Sequence, residues 1–410
     1  MGARRFAPFC AGVLLVACAS NTGTSSLQGS SSPSATSPGP RGSTASNGTS
    51  PSGSEAANLA TSTTTSSADL APRFAAGDLP TTEACSLGAP SVEGQITFVV
   101  ASRLYAVAAD GTLRCLADLE GRSPTWLSWS PDGDELLVGP DLLLRTDATL
   151  SNTGYFADNT NVRWSAPTGK ALLAPKASTG QLIWRNAHNS ADRIDVSFAD
   201  SITNAAYHPA GKHIAAAGIG RDGQGPGVFV ASNRGANAQR IGQLEPGTTA
   251  TDVAFDMAGN SLVFIHKHAD GGAQIHRYVF ANNELLTLAD LDVIPTDLTV
   301  SPIDDGDVAW RQTGPTQNSM ARVLLAGADR AVTVNSTGGE HVTAPIGWLP
   351  GHRLLVSATS PGAASSEPFE LWEWSPSKLS SVISGVTAAA TRTIHGAYSE
   401  LTIIPGSGFG

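Results

Sequence analysis

The sequence predicts an all-β protein built from one short unit used repeatedly, and three observations predict it. Short β-rich runs alternate with turn signals from about Gly94 onward. No apolar period of 3.6 residues persists long enough to set a helix. A strand–turn–strand unit returns at spacings of 36, 42, 48, 47 and 45 residues. A period in the forties with four short strands per unit is the sequence sign of a β-propeller.

The unit is clearest in Leu127-Ser128-Trp129-Ser130-Pro131-Asp132-Gly133-Asp134-Glu135-Leu136-Leu137-Val138. Pro131 presets φ at the second turn position, Asp132 suits the turn, and Gly133 takes the left-handed position that closes a short hairpin. The same pattern decays along the chain, with its turn glycine at Gly169, Gly211, Gly259, Gly306 and Gly351. Further strand pairs follow in several units, as in Val228–Ala231 with Arg240–Gly242 and in Ile275–Phe280 with Leu285–Leu288.

Two ends are left over. Ile96–Val100, Arg103–Val107 and Thr112–Leu116 read as three strands without a first, and the stretch around Tyr398–Ile404 reads as one strand. Together they make a seventh blade shared between the termini, which covers sheet edges that an open array would expose. Seven four-stranded blades is the expectation, with six or eight left open. The propeller is placed at residues 83–405, with a tail at 406–410.

The unit Ser130-Pro131-Asp132-Gly133, with Trp129 two residues before the proline, resembles the repeat of TolB-type propellers. Leu104-Tyr105-Ala106-Val107-Ala108-Ala109-Asp110-Gly111-Thr112 resembles the strand pair of those repeats. The resemblance covers roughly residues 94–405 and implies a fold more than a function. One repeat alone carries the full motif, the Trp-Asp dipeptide of WD-repeat propellers is absent, and so is the N-terminal domain of TolB. It implies an exported propeller offering a rigid face to a partner.

The N-terminus supplies an address. Arg4 and Arg5 precede an apolar stretch, Phe6–Ala17, that is too short to span a bilayer and suits the apolar region of an export signal. Its end, Leu15-Val16-Ala17-Cys18, resembles the lipobox of bacterial lipoproteins. That resemblance implies cleavage of residues 1–17, a lipid on Cys18, and anchoring on a bacterial cell or outer membrane at its periplasmic or extracellular face. From 18 to 82 the chain is mostly Ser, Thr, Gly, Pro and Ala. Such a segment buries too little apolar surface to offset its backbone entropy and is expected to be a disordered tether, reaching about 40–45 Å.

Composition narrows the partners. The chain has 410 residues, 25 basic and 35 acidic; removal of Arg4 and Arg5 with the signal leaves a net charge of −12. An acidic surface without a basic cluster argues against nucleic acid. Cys85 and Cys115 are the even pair left after Cys10 and Cys18, and an exported compartment favours a disulfide between them.

Candidate chemistry is sparse. His266, His268 and His276 are the best metal ligands on offer: two share a strand face and the third lies on the returning strand. A short turn at Asp270-Gly271 would shift the register and separate them, and incidental histidines of a solvated hairpin are the expected reading. Asp304, Asp305 and Asp307 read as a polar turn, since a calcium loop needs a glutamate at its twelfth position. Gly218–Gly227 reads as a mobile glycine-rich loop that opens no helix and so lacks the features of a phosphate site. No G-x-S-x-G elbow is present. The tryptophans, mostly within strands, are expected to pack between blades. No cofactor is expected. These readings favour a non-catalytic, lipid-anchored binding or scaffold module for an envelope protein or cell-wall component. The alternative is an exported glycan hydrolase or lyase whose site at the channel mouth leaves no linear motif.

Overall fold

A computed structural model describes residues 72–80, 85 and 95–392, less short internal stretches, the longest being 153–161. The chain divides into Met1–Glu55, none of it described, and Ala56–Gly410, which holds every described residue.

Among the described residues, apart from a 3₁₀ turn at Ala76–Asp78, the regular structure is all strand. The chain begins with β1 (Gln95–Val100), β2 (Arg103–Val107) and β3 (Leu113–Asp118). Four-stranded antiparallel sheets follow. The first holds β4 (Leu127–Trp129), β5 (Glu135–Val138), β6 (Leu142–Arg145) and β7 (Leu150–Asn152). The second holds β8 (Arg163–Trp164), β9 (Ala171–Lys176), β10 (Gln181–Asn186) and β11 (Arg193–Val196). The third holds β12 (Ala199–Tyr207), β13 (His213–Gly220), β14 (Gly225–Ser232) and β15 (Gln239–Gln243). The fourth holds β16 (Thr249–Phe255), β17 (Ser261–Lys267), β18 (Ala273–Val279) and β19 (Glu284–Leu291). The fifth holds β20 (Thr296–Val300), β21 (Val308–Thr313), β22 (Ser319–Leu324) and β23 (Val332–Val334). Last come β24 (Val342–Leu349), β25 (Arg353–Thr359), β26 (Phe369–Ser375) and β27 (Lys378–Arg392).

These last four strands join the first three in one seven-stranded sheet, in the order β24-β25-β26-β27-β1-β2-β3. β27 serves two partners. Its first part pairs with β26, from Lys378 opposite Ser375 to Val386 opposite Phe369; its second pairs with β1, from Val386 opposite Val100 to Arg392 opposite Gln95. Gly385, at φ 77°, marks the change of partner, a backbone conformation natural to glycine. The strand joining the N-terminal three is therefore Val386–Arg392. The expected stretch around Tyr398–Ile404 lies outside the described residues.

Each predicted hairpin falls on the first two strands of a sheet: β4–β5, β8–β9, β12–β13, β16–β17, β20–β21 and β24–β25. Strands with apolar residues on both faces explain the stacking, since side chains alternate along a strand. In β17, Leu262 and Phe264 pack with Val228 and Val230 of the preceding sheet, while Val263 and Ile265 pack with Val308 and Trp310 of the following one. Comparable cores lie between every successive pair of sheets, including β1–β3 against the sheet of β4 and against the β24–β26 part of their own sheet. Burying each Leu, Ile, Val or Phe in these layers contributes about 1.5–3 kcal/mol.

Residues 72–80 depart from the expected tether. The amides of Arg73 and Phe74 donate to the carbonyls of Ser381 and Val382 on β27 at 3.1 and 3.0 Å. Phe74 and Leu79 pack against the Phe98–Leu371 core. These two apolar side chains supply the burial that the preceding Ser/Thr-rich stretch lacks. Cys85 and Cys115 form a disulfide across 30 residues of sequence. A loop of that length gives about 3–4 kcal/mol by restricting the unfolded chain.

The glycine-rich stretch 218–227 also departs from expectation. Gly218 pairs with Gly227, and Gly220 with Gly225, so most of the stretch is ladder of β13 and β14 rather than loop. Glycine at 218 lets the strands approach closely, because a Cβ there would meet the Ser201 carbonyl oxygen at 1.9 Å.

Candidate binding site on the innermost strands

β4, β8, β12, β16, β20, β24 and the second part of β27 lie innermost. Successive members pack on one another, as β27 on β4, β12 on β16, β16 on β20, and β20 on β24. Between β4 and β8 the link is a hydrogen bond from Trp164 Nε1 to the Ser128 carbonyl at 3.0 Å. Tryptophan at this repeat position thus binds neighbouring sheets together, as Trp129 does by donating from Nε1 to Thr97 Oγ1 at 2.6 Å.

At the turn end of these strands the residue before each turn organises it. Ser130, His208, Asp256 and Ser301 are buried, and each donates its amide to the strand beyond the turn. Their side chains accept backbone amides inside the turn: Glu135 to Ser130 Oγ at 2.9 Å, Ala210 to His208 Nδ1 at 3.0 Å, Asn260 to Asp256 Oδ1 at 2.8 Å. The turn glycines carry a second load. Their carbonyls accept from side chains of other sheets: Gly133 from Arg392 Nε at 2.9 Å, Gly259 from His208 Nε2 at 3.1 Å, Gly306 from Arg277 at 2.8 Å. Gly259 has φ 75°, and a Cβ there would lie 2.1 Å from His208 Nε2. His208 is thereby held as the neutral Nε2–H tautomer, and burial pushes its pKa down to about 4. Gly169 lies outside the described residues.

A few residues earlier the ladders slip. Register shifts fall between Ile202 and Asn204 in β12, between Ala250 and Val253 in β16, and between Thr296 and Thr299 in β20. Such bulges re-aim side chains. Asn204, Asp252 and Asp297 occupy the same repeat position, each one residue before the apolar run that enters the turn. Asn204 Nδ2 donates to Asp252 Oδ1 at 2.7 Å. Asn204 is 6% exposed, and its Oδ1 has no partner; neither does the buried Thr251 Oγ1 beside it. Asp297, at φ 55°, accepts from Arg311 Nε at 2.8 Å.

Arg163 of β8 completes the group. It is open to solvent, yet enclosed enough by protein that burial lowers its pKa, opposed by the Asp252 carboxylate. Burial raises the pKa of Asp252, against the hydrogen bond from Asn204 and the charge of Arg163, while Asp297 acts with the burial. The group presents a guanidinium, an amide with an unused acceptor, a hydroxyl and a carboxyl. It can donate to an anionic or carbonyl group and accept from hydroxyls or amines. Towards the turn end lies a cavity of about 250 Å³ lined by Tyr207, Phe255, Thr299, Val300, Trp348 and Thr391 among others.

The histidines predicted as metal ligands meet in a different way. Phe264 pairs with His276, and His266 with Gln274, because the chain turns over the three residues Ala269-Asp270-Gly271, one more than a two-residue turn at Asp270-Gly271; the register still separates His266 from His276 across the ladder. His266 Nδ1 and His276 Nε2 are 3.3 Å apart, the two rings lie diagonally on one face, and His276 Nδ1 faces Thr287 Oγ1 at 3.3 Å. His268 stacks near His266 with ring centroids 4.5 Å apart. Both nitrogens of His276 are engaged, and the described residues contain no group of three His, Cys, Asp or Glu placed to hold a metal. Burial, with the charge of His266, pushes the pKa of His276 down to about 4. Asp307 is structural: buried, it accepts from Ala326 N at 2.9 Å and pairs with His352 Nδ1 at 2.6 Å. Asp304 and Asp305 lie outside the described residues.

Arg163, Asn204 and Asp252 escaped the sequence reading because no linear motif links them. Aligning the repeats on their turns would have found two of them, as polar residues in one column.

No protein-family profile matches the chain, and no curated protein matches its sequence. Solved structures share its fold. TolB from Acinetobacter baumannii is 13% identical over 73% of this chain and 67% of its own, with a TM-score of 0.41. The β-propeller domain of Myceliophteria thermophila Cps50 (Swd1) is 14% identical over 63% and 85%, with a TM-score of 0.43. A prolyl endopeptidase is 12% identical over 71% and 48%, with a TM-score of 0.50, so this chain spans about half of it. At such identities the likeness is one of fold alone, and with the successive four-stranded sheets it supports a β-propeller fold for this chain.

Proposed function

We propose that the chain is a lipid-anchored propeller of the bacterial cell envelope, acting as a non-catalytic binding or scaffold module for an envelope protein or cell-wall component. A signal at 1–17, a lipid on Cys18, a tether within 18–82 and a propeller over 83–405 make up this reading, followed by a tail at 406–410. The lipobox-like Leu15-Val16-Ala17-Cys18 and the Cys85–Cys115 disulfide support export. The strand order supports seven blades: the seven-stranded sheet counts as two, sharing β27, with the pairing of Val386–Arg392 and β1 in support of a closed ring.

The observation that carries the binding role is the bulge group: Arg163, Asn204 and Asp252 on innermost strands of different sheets, with a buried acceptor on Asn204 left without a partner. Buried polar groups are ordinarily satisfied, so an orphan in a lumen fits one completed by a ligand. An enzyme reading draws on the same Asp252, whose raised pKa suits a proton donor to a glycosidic oxygen.

Two measurements test this. Metabolic labelling with a palmitate analogue should mark the wild-type chain and not Cys18→Ala; equal labelling removes the anchor from the account. Purified protein incubated with a panel of cell-wall and plant glycans should release no product. Turnover abolished by Asp252→Asn would replace the binding module with the enzyme.

A further inference from the structure

The outermost strands of a propeller expose free backbone edges, and here most are guarded. The outer edge of β27 is covered by Arg73 and Phe74, whose amides bond its Ser381 and Val382 carbonyls. β3 carries Arg114 and is pinned to the N-terminal segment by the Cys85–Cys115 bond. β15 carries Arg240, and β7, β11 and β23 are only three, four and three residues long. Short, charged or covered edges are the usual protections against pairing with another chain.

β19 is neither short, covered nor basic: its own charges, Glu284 and Asp290, are acidic and stand near its ends, and a one-residue bulge falls at Leu288. It runs eight residues, Glu-Leu-Leu-Thr-Leu-Ala-Asp-Leu, without a cation, and pairs on one side with β18 along its whole length. Among the described residues nothing bonds its other edge. Leu285 and Leu286 are 41% and 38% exposed, and as consecutive strand residues they face opposite sides of the sheet. Acidic groups stand at both ends, Glu284 at one and Asp290 and Asp292 at the other.

We infer that β19 is a docking edge that takes an extended segment of a partner protein as an added strand. The exposed leucines on both faces call for consecutive Val, Ile or Leu in that segment, and the acidic ends call for lysine or arginine flanking it. Backbone hydrogen bonds give such pairing its affinity and the flanking contacts its choice of partner. The edge lies apart from the bulge group and does not depend on a ligand there.

The probe is a fluorescein-labelled peptide, Lys-Val-Thr-Ile-Val-Ile-Thr-Lys, titrated against the full chain by anisotropy. Saturable binding is expected. It should weaken at least ten-fold in Leu285→Lys/Leu286→Lys, and at least ten-fold when alternate peptide amides are N-methylated. Ile219→Lys, which alters a residue 44% exposed but on the inner-lying β13, should leave binding unchanged. Far-ultraviolet circular dichroism of each variant checks that it is folded. Absence of binding, equal loss in Ile219→Lys, or full binding of the N-methylated peptide overturns the proposal. So does a dimer in sedimentation that Leu286→Lys dissociates, because a second copy would then own the edge.

Discussion

At the turn end of the innermost strands, residues in equivalent positions share one role and are satisfied. Ser130, His208, Asp256 and Ser301 all order their turns, and the glycine carbonyls of three turns are bonded from other sheets. At the bulges a few residues earlier, Asn204, Asp252 and Asp297 share a position but not a set of partners. One carries an orphaned acceptor, one an elevated pKa, one a left-handed backbone. Residues that hold the fold repeat with it, whereas residues at the bulges differ from sheet to sheet.

The harshest way to break the turn-end network is to remove the second part of β27. Deleting the chain from Thr387 onward takes away the β1 partner and Arg392, the donor to Gly133. The truncated protein should lose its single cooperative transition in urea or aggregate; an unchanged transition would mean that closure adds nothing to the fold.

Gly259→Val comes next. The left-handed φ and the collision with His208 should together lower stability by about 2–5 kcal/mol. Gly223→Ala, also left-handed but with no atom within 4 Å of the new Cβ, should lose only about 1–2 kcal/mol. Equal losses in urea titrations would show that the inter-sheet contact carries no weight.

Acid should act on the buried histidines. The folded-state pKa of His276 and His208 is depressed to about 4, below the ordinary 6.5, so the unfolded chain binds their protons first. The stability they allow is complete above about 6.5 and is lost as pH falls towards 4. His276→Gln should flatten part of that fall in melting temperature.

Asp252→Asn should have the smallest effect on stability and the opposite sign in pH. A raised carboxyl pKa means that the folded state holds its proton longer, so wild-type stability declines as pH rises from the ordinary carboxylate range through the elevated value. The variant should lack that decline and be at least as stable near neutral pH. A marked loss there would place Asp252 with the turn-end residues as a structural group.

Much of the fold was legible because it rests on local chemistry. Turn glycines and β-rich runs located all six inter-strand hairpins, and Trp129 and Trp164 pack between sheets as repeat-equivalent aromatics should. The strand expected to join the N-terminal three, around Tyr398–Ile404, lies outside the described residues, and Val386–Arg392 takes that pairing instead as the second part of the long β27. The docking of Phe74 was hidden in a polar stretch, since two apolar residues make no period. The bulge group was illegible for a different reason: register shifts depend on pairing between strands, and Arg163 and Asp252 sit in different repeats and influence each other only through space.

The most direct test of the central claim is crosslinking in intact cells, followed by affinity purification and mass spectrometry, with wild type beside Arg163→Ala/Asp252→Asn and Cys18→Ala. A binding lumen on an anchored propeller predicts one reproducible envelope protein or glycan with wild type. It should be lost from the double variant, although that variant melts like wild type, and from Cys18→Ala. The same partner recovered undiminished from the folded double variant would contradict the account.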